Sequence, residues 1–223
     1  MSSIGLICFD MAGTTMTDSG LVLEAFRRTL DELGLRGERA VEAEAYVIDT
    51  MGRSKIEVFT ELFPIDASRA NVAFERHFIE VAEELGVREI PGVRVTVEEL
   101  KTHGIRVALT TGFSPLTREA LVDQLGWSDL FEIRVSPADA GRGRPAPDML
   151  WWCALRSGAA TISSVMAVGD TASDMMAGRR AGVGLCVGVL SGADGEQRLL
   201  EYGADAVVDS VAALLELPSL RGA

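Results

Sequence analysis

The sequence predicts an α/β fold, a doubly wound parallel sheet core interrupted by an inserted α-helical cap. The prediction rests on a continuously apolar run near the start, a strand–helix alternation from Pro91 onward, and a long intervening stretch with helical periodicity only.

Ile4–Phe9 is apolar throughout, as expected of a strand buried on both faces of a parallel sheet. From about Gly20 to Gly86 the pattern becomes helical. Leu21, Ala25, Arg28, Leu30 and Leu33 precede a stop at Gly34, and Phe74, Phe78, Val81, Ala82 and Leu85 form a second stripe ending at Gly86. Beyond Pro91, a helix is predicted over 93–103 and a strand over 105–109, running into Thr110-Thr111-Gly112. A helix over 115–125 has Ser114 as N-cap and Pro115 in its first turn. A strand at 133–135, a helix at 147–157, a strand at 165–168, a helix at 171–181 and a strand at 184–189 follow. The chain closes with a helix near 196–202, a strand at 206–208 and a helix at 211–217. The expected domains are residues 1–17 (core, first strand and nucleophile loop), 18–87 (helical cap) and 88–223 (core).

The 223 residues are 48% hydrophobic, enough for a large core, with a net charge of -12. That charge disfavours nucleic acid and anionic membranes as partners. A phosphate-bearing small molecule remains compatible if Arg, Lys, backbone N–H groups and a cation focus positive potential in a cleft. Cys8, Cys153 and Cys186 are widely spaced and lie in apolar stretches, so reduced, packed thiols in a cytoplasmic protein are expected. No secretory leader and no apolar run of about 20 residues is evident. His77 and His103 have no partners at metal spacing, and one ring of Trp151-Trp152 is expected to fill the core.

In doubly wound folds the working residues gather at the carboxyl ends of the strands. Asp10, Thr111 and Asp170 occupy such ends. Asp10, in Phe9-Asp10-Met11-Ala12-Gly13-Thr14-Thr15, reads as a nucleophile toward phosphorus. Asp170 and Asp174 add carboxylates at a spacing that would share a helix face, and such a cluster invites a hard cation such as Mg²⁺. The plainer alternative is that Asp170 caps the following helix and Asp174 is solvated. Thr111 and Gly112 can hold a phosphoryl oxygen or form an ordinary turn. Arg144, with Pro145 and Pro147 fixing the chain around it, can pair with Asp10 and with transferring charge, or lie in a solvated basic loop. Ala12 stands where a phosphate-ester hydrolase of this type needs an acid for the leaving oxygen. Lys55, in Met51-Gly52-Arg53-Ser54-Lys55, is the candidate substitute, although a helix-surface lysine is ordinarily just solvated.

Asp10-x-Ala12-Gly13-Thr14-Thr15, Thr110-Thr111-Gly112, Gly143-Arg144-Pro145-x-Pro147 and Gly169-Asp170-Thr171-x-Ser173-Asp174 resemble the motifs of the haloacid dehalogenase superfamily over nearly the whole chain. Ala12, Arg144 and Met51-Gly52-x-x-Lys55 resemble its phosphonoacetaldehyde hydrolase (phosphonatase)-like branch. The resemblance implies Asp10 as nucleophile, Mg²⁺ held by Asp10, the Ala12 carbonyl and Asp170 with Asp174 nearby, and Arg144 orienting Asp10. It further implies that Thr111, Gly112, Gly13, Thr14, Arg53 and Met51 contact substrate, that Lys55 forms a Schiff base, and that a cap-mediated homodimer is possible.

The chemistry is coherent. Expelling carbon from phosphorus leaves an electron pair that an acid at oxygen cannot rescue but a protonated imine can accept. Lys55 must then be neutral, against a free pKa of about 10.4, and burial or a cation such as Arg53 is expected to lower it. Val58 stands where the branch carries a histidine, Phe113 where it carries a tyrosine, and Asp148 where an aromatic is expected. The expected substrate class is therefore 2-oxoalkylphosphonates, phosphonoacetaldehyde included. A phosphomonoester phosphatase or phosphomutase, and a non-catalytic phosphometabolite-binding protein, are the alternatives.

Overall fold

The structure is a computed structural model that describes residues 4–18 and 20–220. Its first strand, β1 (Leu6–Asp10), is buried at every position, which explains the absence of apolar–polar alternation in its sequence. Four helices follow before any second strand: α1 (Leu21–Glu32), α2 (Glu38–Asp49), α3 (Lys55–Leu62) and α4 (Ala67–Leu85). The remainder alternates: α5 (Val93–Thr102), β2 (Arg106–Thr110), α6 (Pro115–Gln124), β3 (Ile133–Val135), α7 (Pro137–Ala140), α8 (Asp148–Ser157), β4 (Val165–Gly169), α9 (Ala172–Ala181), β5 (Leu185–Val189), α10 (Glu196–Glu201) and β6 (Ala206–Val208). The six strands form one sheet in the order β3-β2-β1-β4-β5-β6, all neighbours parallel. Chain order reverses direction at β1, between β2 and β4, and such a switch point opens a crevice at the strand carboxyl ends.

The sheet core and the helical segment share one continuous apolar cluster. Phe26, Phe59, Phe74 and Phe78 line up inside the helices, and Phe113, from the loop after β2, packs against Phe74 and Phe78 with ring centroids 6.5 and 4.4 Å away. Each buried ring contributes about 1.5–3 kcal/mol of apolar burial. This packing ties the Thr111-Gly112 loop to the underside of α4. The two connections between sheet and helices run side by side: Thr17 N donates to the Arg88 carbonyl, and Ile90 N donates to the Thr15 carbonyl.

Several expectations need correction. The closing helix over 211–217 is a short 3-10 helix, Val211–Glu216. Leu85, read as part of the α4 stripe, is exposed, because it occupies the helix's last turn beyond the packed face. Trp152 is partly buried against a second apolar cluster that includes Leu6, Met149 and Cys153, whereas Trp151 does not fill the core. Trp151 is half exposed and donates to the Ala181 carbonyl, Trp152 carries the Arg156 guanidinium over its ring, and the fully buried indole is Trp127. The three cysteines are buried and unpaired as disulfides, and burial pushes Cys186 up to about 11. Among the described residues no helix is long and apolar enough to cross a membrane.

Candidate active site

Asp10 ends β1, and Asp170 and Thr111 directly follow β4 and β2, so the parallel register delivers all three to one rim. Oxygens of Asp10, Asp170 and Asp174 lie within 4.8 Å of one another, and all three residues are buried. Arg144 projects between them, with Nη1 2.6 Å from Asp10 Oδ1 and also bonded to Asp174 Oδ1. Burial pushes the Asp10 carboxyl up to about 6, the Arg144 charge opposing this and the Asp174 charge adding to it. Asp170 is raised well above the ordinary carboxylate range, first by burial and then by its acidic neighbours Asp10 and Asp174. Arg144 is held charged by Asp10 and Asp174 despite its own burial.

Glycines make this packing possible. A Cβ on Gly13 or Gly192 would overlap the Asp170 carboxylate, so two backbone loops can close on it only without side chains. Asp170 then accepts from Thr14 Oγ1 at 2.9 Å and from Ala193 N at 2.8 Å. Asp174 is the third residue of α9 and folds back to accept from Thr171 N at 3.1 Å, while the Thr171 side chain caps Asp174 N. Asp170 and Asp174 therefore do not share a helix face: Asp170 precedes the helix and points toward Thr14, and Asp174 lies beneath it against Arg144.

Facing these strand ends is the loop Thr50–Ser54 and the start of α3. Lys55 N donates to the Gly112 carbonyl at 3.3 Å, and a Cβ on Gly112 would sit 2.6 Å from the Arg53 carbonyl oxygen. Lys55 is only 8% exposed. Its stem borders an apolar hollow of Val22, Phe26, Val47, Val58, Phe59 and Phe74. Burial lowers its pKa, Asp18 opposes the shift, and Arg144 adds to it, with Asp10 and Glu75 opposing. The neighbouring cation is therefore Arg144 and not Arg53, whose guanidinium is turned to Glu61 (2.7 Å) and the Tyr46 hydroxyl (3.2 Å).

Between the two sides lies a cavity of about 250 Å³. Asp10, Ala12, Gly13, Asp170, Thr111, Gly112 and Arg144 line it from the sheet side, and Met51, Arg53 and Lys55 from the helices. Thr14 does not line it, because its hydroxyl is turned to Asp170, and Asp174 lies behind Arg144. The sequence reading missed Asp18 and the Ser191-Gly192-Ala193 loop, all at the cavity wall. The loop follows β5, so the strand-end rule that found Asp170 could have found it. Asp18 carried no such signal, standing alone before the first helix.

The oxygen-only donor set fits a hard divalent cation. Two buried carboxylates, both with raised proton affinity, have oxygens within 4.8 Å of each other, with one arginine shared between Asp10 and Asp174. Asp10, Asp170 and the Ala12 carbonyl would hold Mg²⁺.

The chain is similar in sequence and in fold to known proteins. The family model described as haloacid dehalogenase-like hydrolase matches residues 7–187. A phosphonoacetaldehyde hydrolase of Bacillus cereus is 30% identical over 228 aligned positions, covering 91% of this chain and 81% of that protein. A plasmid-encoded phosphoglycolate phosphatase of Cupriavidus necator is 28% identical, covering 96% and 94%. The crystal structure of a phosphonoacetaldehyde hydrolase like protein from Oleispira antarctica superposes with a TM-score of 0.83 at 24% identity, covering 100% of this chain and 96% of that one.

Proposed function

The chain belongs to the haloacid dehalogenase-like hydrolases, and from that premise we propose that it hydrolyses the carbon–phosphorus bond of a 2-oxoalkylphosphonate, phosphonoacetaldehyde or a close relative. The observation that carries this reading is Lys55: a buried amine, its pKa lowered, lining the same cavity as the Asp10 carboxylate. A solvated surface lysine would have neither property. The cavity volume equals about eight liquid waters, which suits a small phosphonate and is tight for a nucleotide.

In this reading Lys55 condenses with the substrate carbonyl to a protonated imine, losing water. Asp10 attacks phosphorus, and the C–P pair moves into an enamine, neutralising the nitrogen. Thr111, Gly112 and Arg144 hold the phosphoryl oxygens and keep Asp10 aimed. Asp10 and Asp170 would hold Mg²⁺, which when bound would supply positive charge beside the transferring phosphoryl group. The enamine takes a proton at carbon, water releases the carbonyl product, and water cleaves the aspartyl phosphate. Residues 18–87 act as a cap, with the paired linkers near Thr17 and Arg88 as its hinge.

Phosphomonoester hydrolysis is the second reading, favoured by the phosphoglycolate phosphatase relative and disfavoured by Ala12, which can donate no proton to a leaving oxygen. Borohydride added during turnover of phosphonoacetaldehyde, followed by peptide mapping, separates the two. A reduced adduct on Lys55 is expected. Rapid turnover of aryl phosphates, with Lys55 unmodified by any 2-oxoalkylphosphonate, would refute the C–P reading.

A further inference from the structure

We propose that Asp18 is the proton-transfer partner of Lys55, taking the ammonium proton before imine formation and returning it to the departing hydroxyl. The proposal rests on the imine reading above and deepens it. If Lys55 works through an imine, its proton must leave and water must be expelled inside a closed cavity.

The geometry leaves one side chain for that task. Among the described residues the cavity wall contains no histidine, tyrosine, cysteine or glutamate, and its carboxylates are Asp10, Asp18 and Asp170. Asp10 is bound to Arg144, and Asp170 is bound to Thr14 and Ala193. Glu75, the other acidic neighbour of Lys55, is fastened to the start of α6, accepting from Ser114 N at 3.1 Å, Ser114 Oγ at 2.8 Å and the Thr117 hydroxyl. Of the cavity hydroxyls, Thr171 Oγ1 donates to Asp174, Ser191 Oγ donates to the Gly13 carbonyl, and Thr111 Oγ1, which accepts from Phe113 N at 3.3 Å, belongs to the phosphoryl side. Val58, one turn along α3 from Lys55, is buried in the apolar cluster. Asp18 differs from the other two wall carboxylates. It belongs to the connection entering α1, its carboxylate accepts only backbone hydrogen bonds, from Val22 N at 3.1 Å and from Leu21, and it is the largest acidic influence on Lys55.

The electrostatics support the assignment. Charged groups facing the Lys55 amine are Asp18 from the linker, Asp10 from β1, Glu75 from α4 and Arg144 from the loop before α8. Burial raises Asp18, against the Val22 N–H and the Lys55 charge, and burial lowers Lys55. The two proton affinities move toward each other, which brings the neutral pair within reach. The balance is simple. Lys55 and Asp18 share the cavity wall without an ion pair within 4 Å, so the exchange runs through a bridging water, and ammonium and carboxylate become amine and carboxylic acid. The amine attacks the carbonyl carbon, and its proton passes to oxygen to give a carbinolamine. The Asp18 carboxyl protonates the hydroxyl, which leaves as water with the C–O pair, and the nitrogen lone pair forms the C=N bond of the protonated imine with Asp18 ionised again.

The test is the rate of borohydride-trapped adduct on Lys55 with phosphonoacetaldehyde, measured across pH in wild type, Asp18→Asn and Asp18→Glu, with thermal midpoints alongside. Asparagine keeps an oxygen for Val22 N but cannot exchange the proton. The expected result is an unchanged midpoint, trapping slowed about 100-fold or more at every pH in the asparagine variant, and partial recovery with glutamate. A purely electrostatic Asp18 predicts the opposite sign, since removing its charge would lower the Lys55 pKa further. Trapping at the wild-type rate or faster, with its profile displaced to lower pH, would overturn the proposal, as would slowing that simply follows a lost midpoint. Failure of the imine reading itself is visible in wild type alone, as no adduct on Lys55, and removes this proposal with it.

Discussion

On the sheet side of the cavity, Asp10, Asp170 and Asp174 each have at least one close partner, and Arg144 ties Asp10 to Asp174. On the helical side, Lys55 has no ion pair within 4 Å among the described residues, and its stem borders apolar side chains. The sheet side is thus a pre-set electrostatic frame, whose cost is met by mutual pairing and by the cation it is built to hold. The helical side keeps one under-compensated amine whose instability in the charged form is the source of its reactivity. Frame residues should therefore be costly to stability when removed, and the amine should be costly to activity alone.

The largest effect tests the frame's chemistry. Asp10→Asn is expected to lower phosphate release by about 10⁴-fold or more, measured by inorganic phosphate with any accepted substrate; release within tenfold of wild type would remove Asp10 as nucleophile. Lys55→Met is expected to abolish C–P cleavage while leaving the protein as stable or about 1–2 kcal/mol more stable at pH 7, because a buried ammonium is replaced by an apolar chain. The sign with pH follows from the lowered Lys55 pKa. Between the folded value and the free lysine value of about 10.4 the unfolded chain binds the extra proton, so wild-type stability rises with pH in that window. The variant's advantage should shrink toward alkaline pH in denaturant titrations, and a gap that widens instead would contradict a depressed amine.

Arg144→Met should behave in the contrary way, costing about 3–5 kcal/mol by leaving Asp10 and Asp174 buried side by side without their cation. A loss below 1 kcal/mol in urea unfolding would mean the frame is not held by pairing. The smallest expected effect is at the joint between the two sides. Glu75→Gln weakens the hydrogen bonds from the start of α6 and should cost about 1–2 kcal/mol, or about 2–8 °C in thermal midpoint for a chain of this size, with a raised KM. An unchanged midpoint and KM would show that Glu75 does not hold the helices to the sheet.

The strand ends were legible because one rule serves them all: a buried apolar run followed by Asp10, Thr111 or Asp170 needs no knowledge of distant residues. Lys55 was legible only as a suspicion, since its spacing is that of any helix start. Thr14 and Arg53 were read as substrate contacts, and the structure gives each a protein partner, with Arg53 still at the cavity wall. Their hydrogen-bond partners, Asp170 at 156 residues' separation and Glu61 across the α3 turn, are not encoded in local pattern. Asp18 was missed for the same reason, since its significance is its position opposite Lys55.

By itself the sequence determined the α/β alternation, the helical segment after β1, the parallel sheet and the carboxylates at its rim, because periodicity and strand-end placement are local properties of the chain. The tertiary structure alone decided which carboxylates are engaged, that Arg144 and not Arg53 is the cation beside Lys55, that Phe113 anchors its loop against α4, and that Asp18 shares the cavity wall with the amine. Those outcomes depend on burial and on distances between segments far apart in sequence, and a proton's affinity for a site is set by what surrounds it in space.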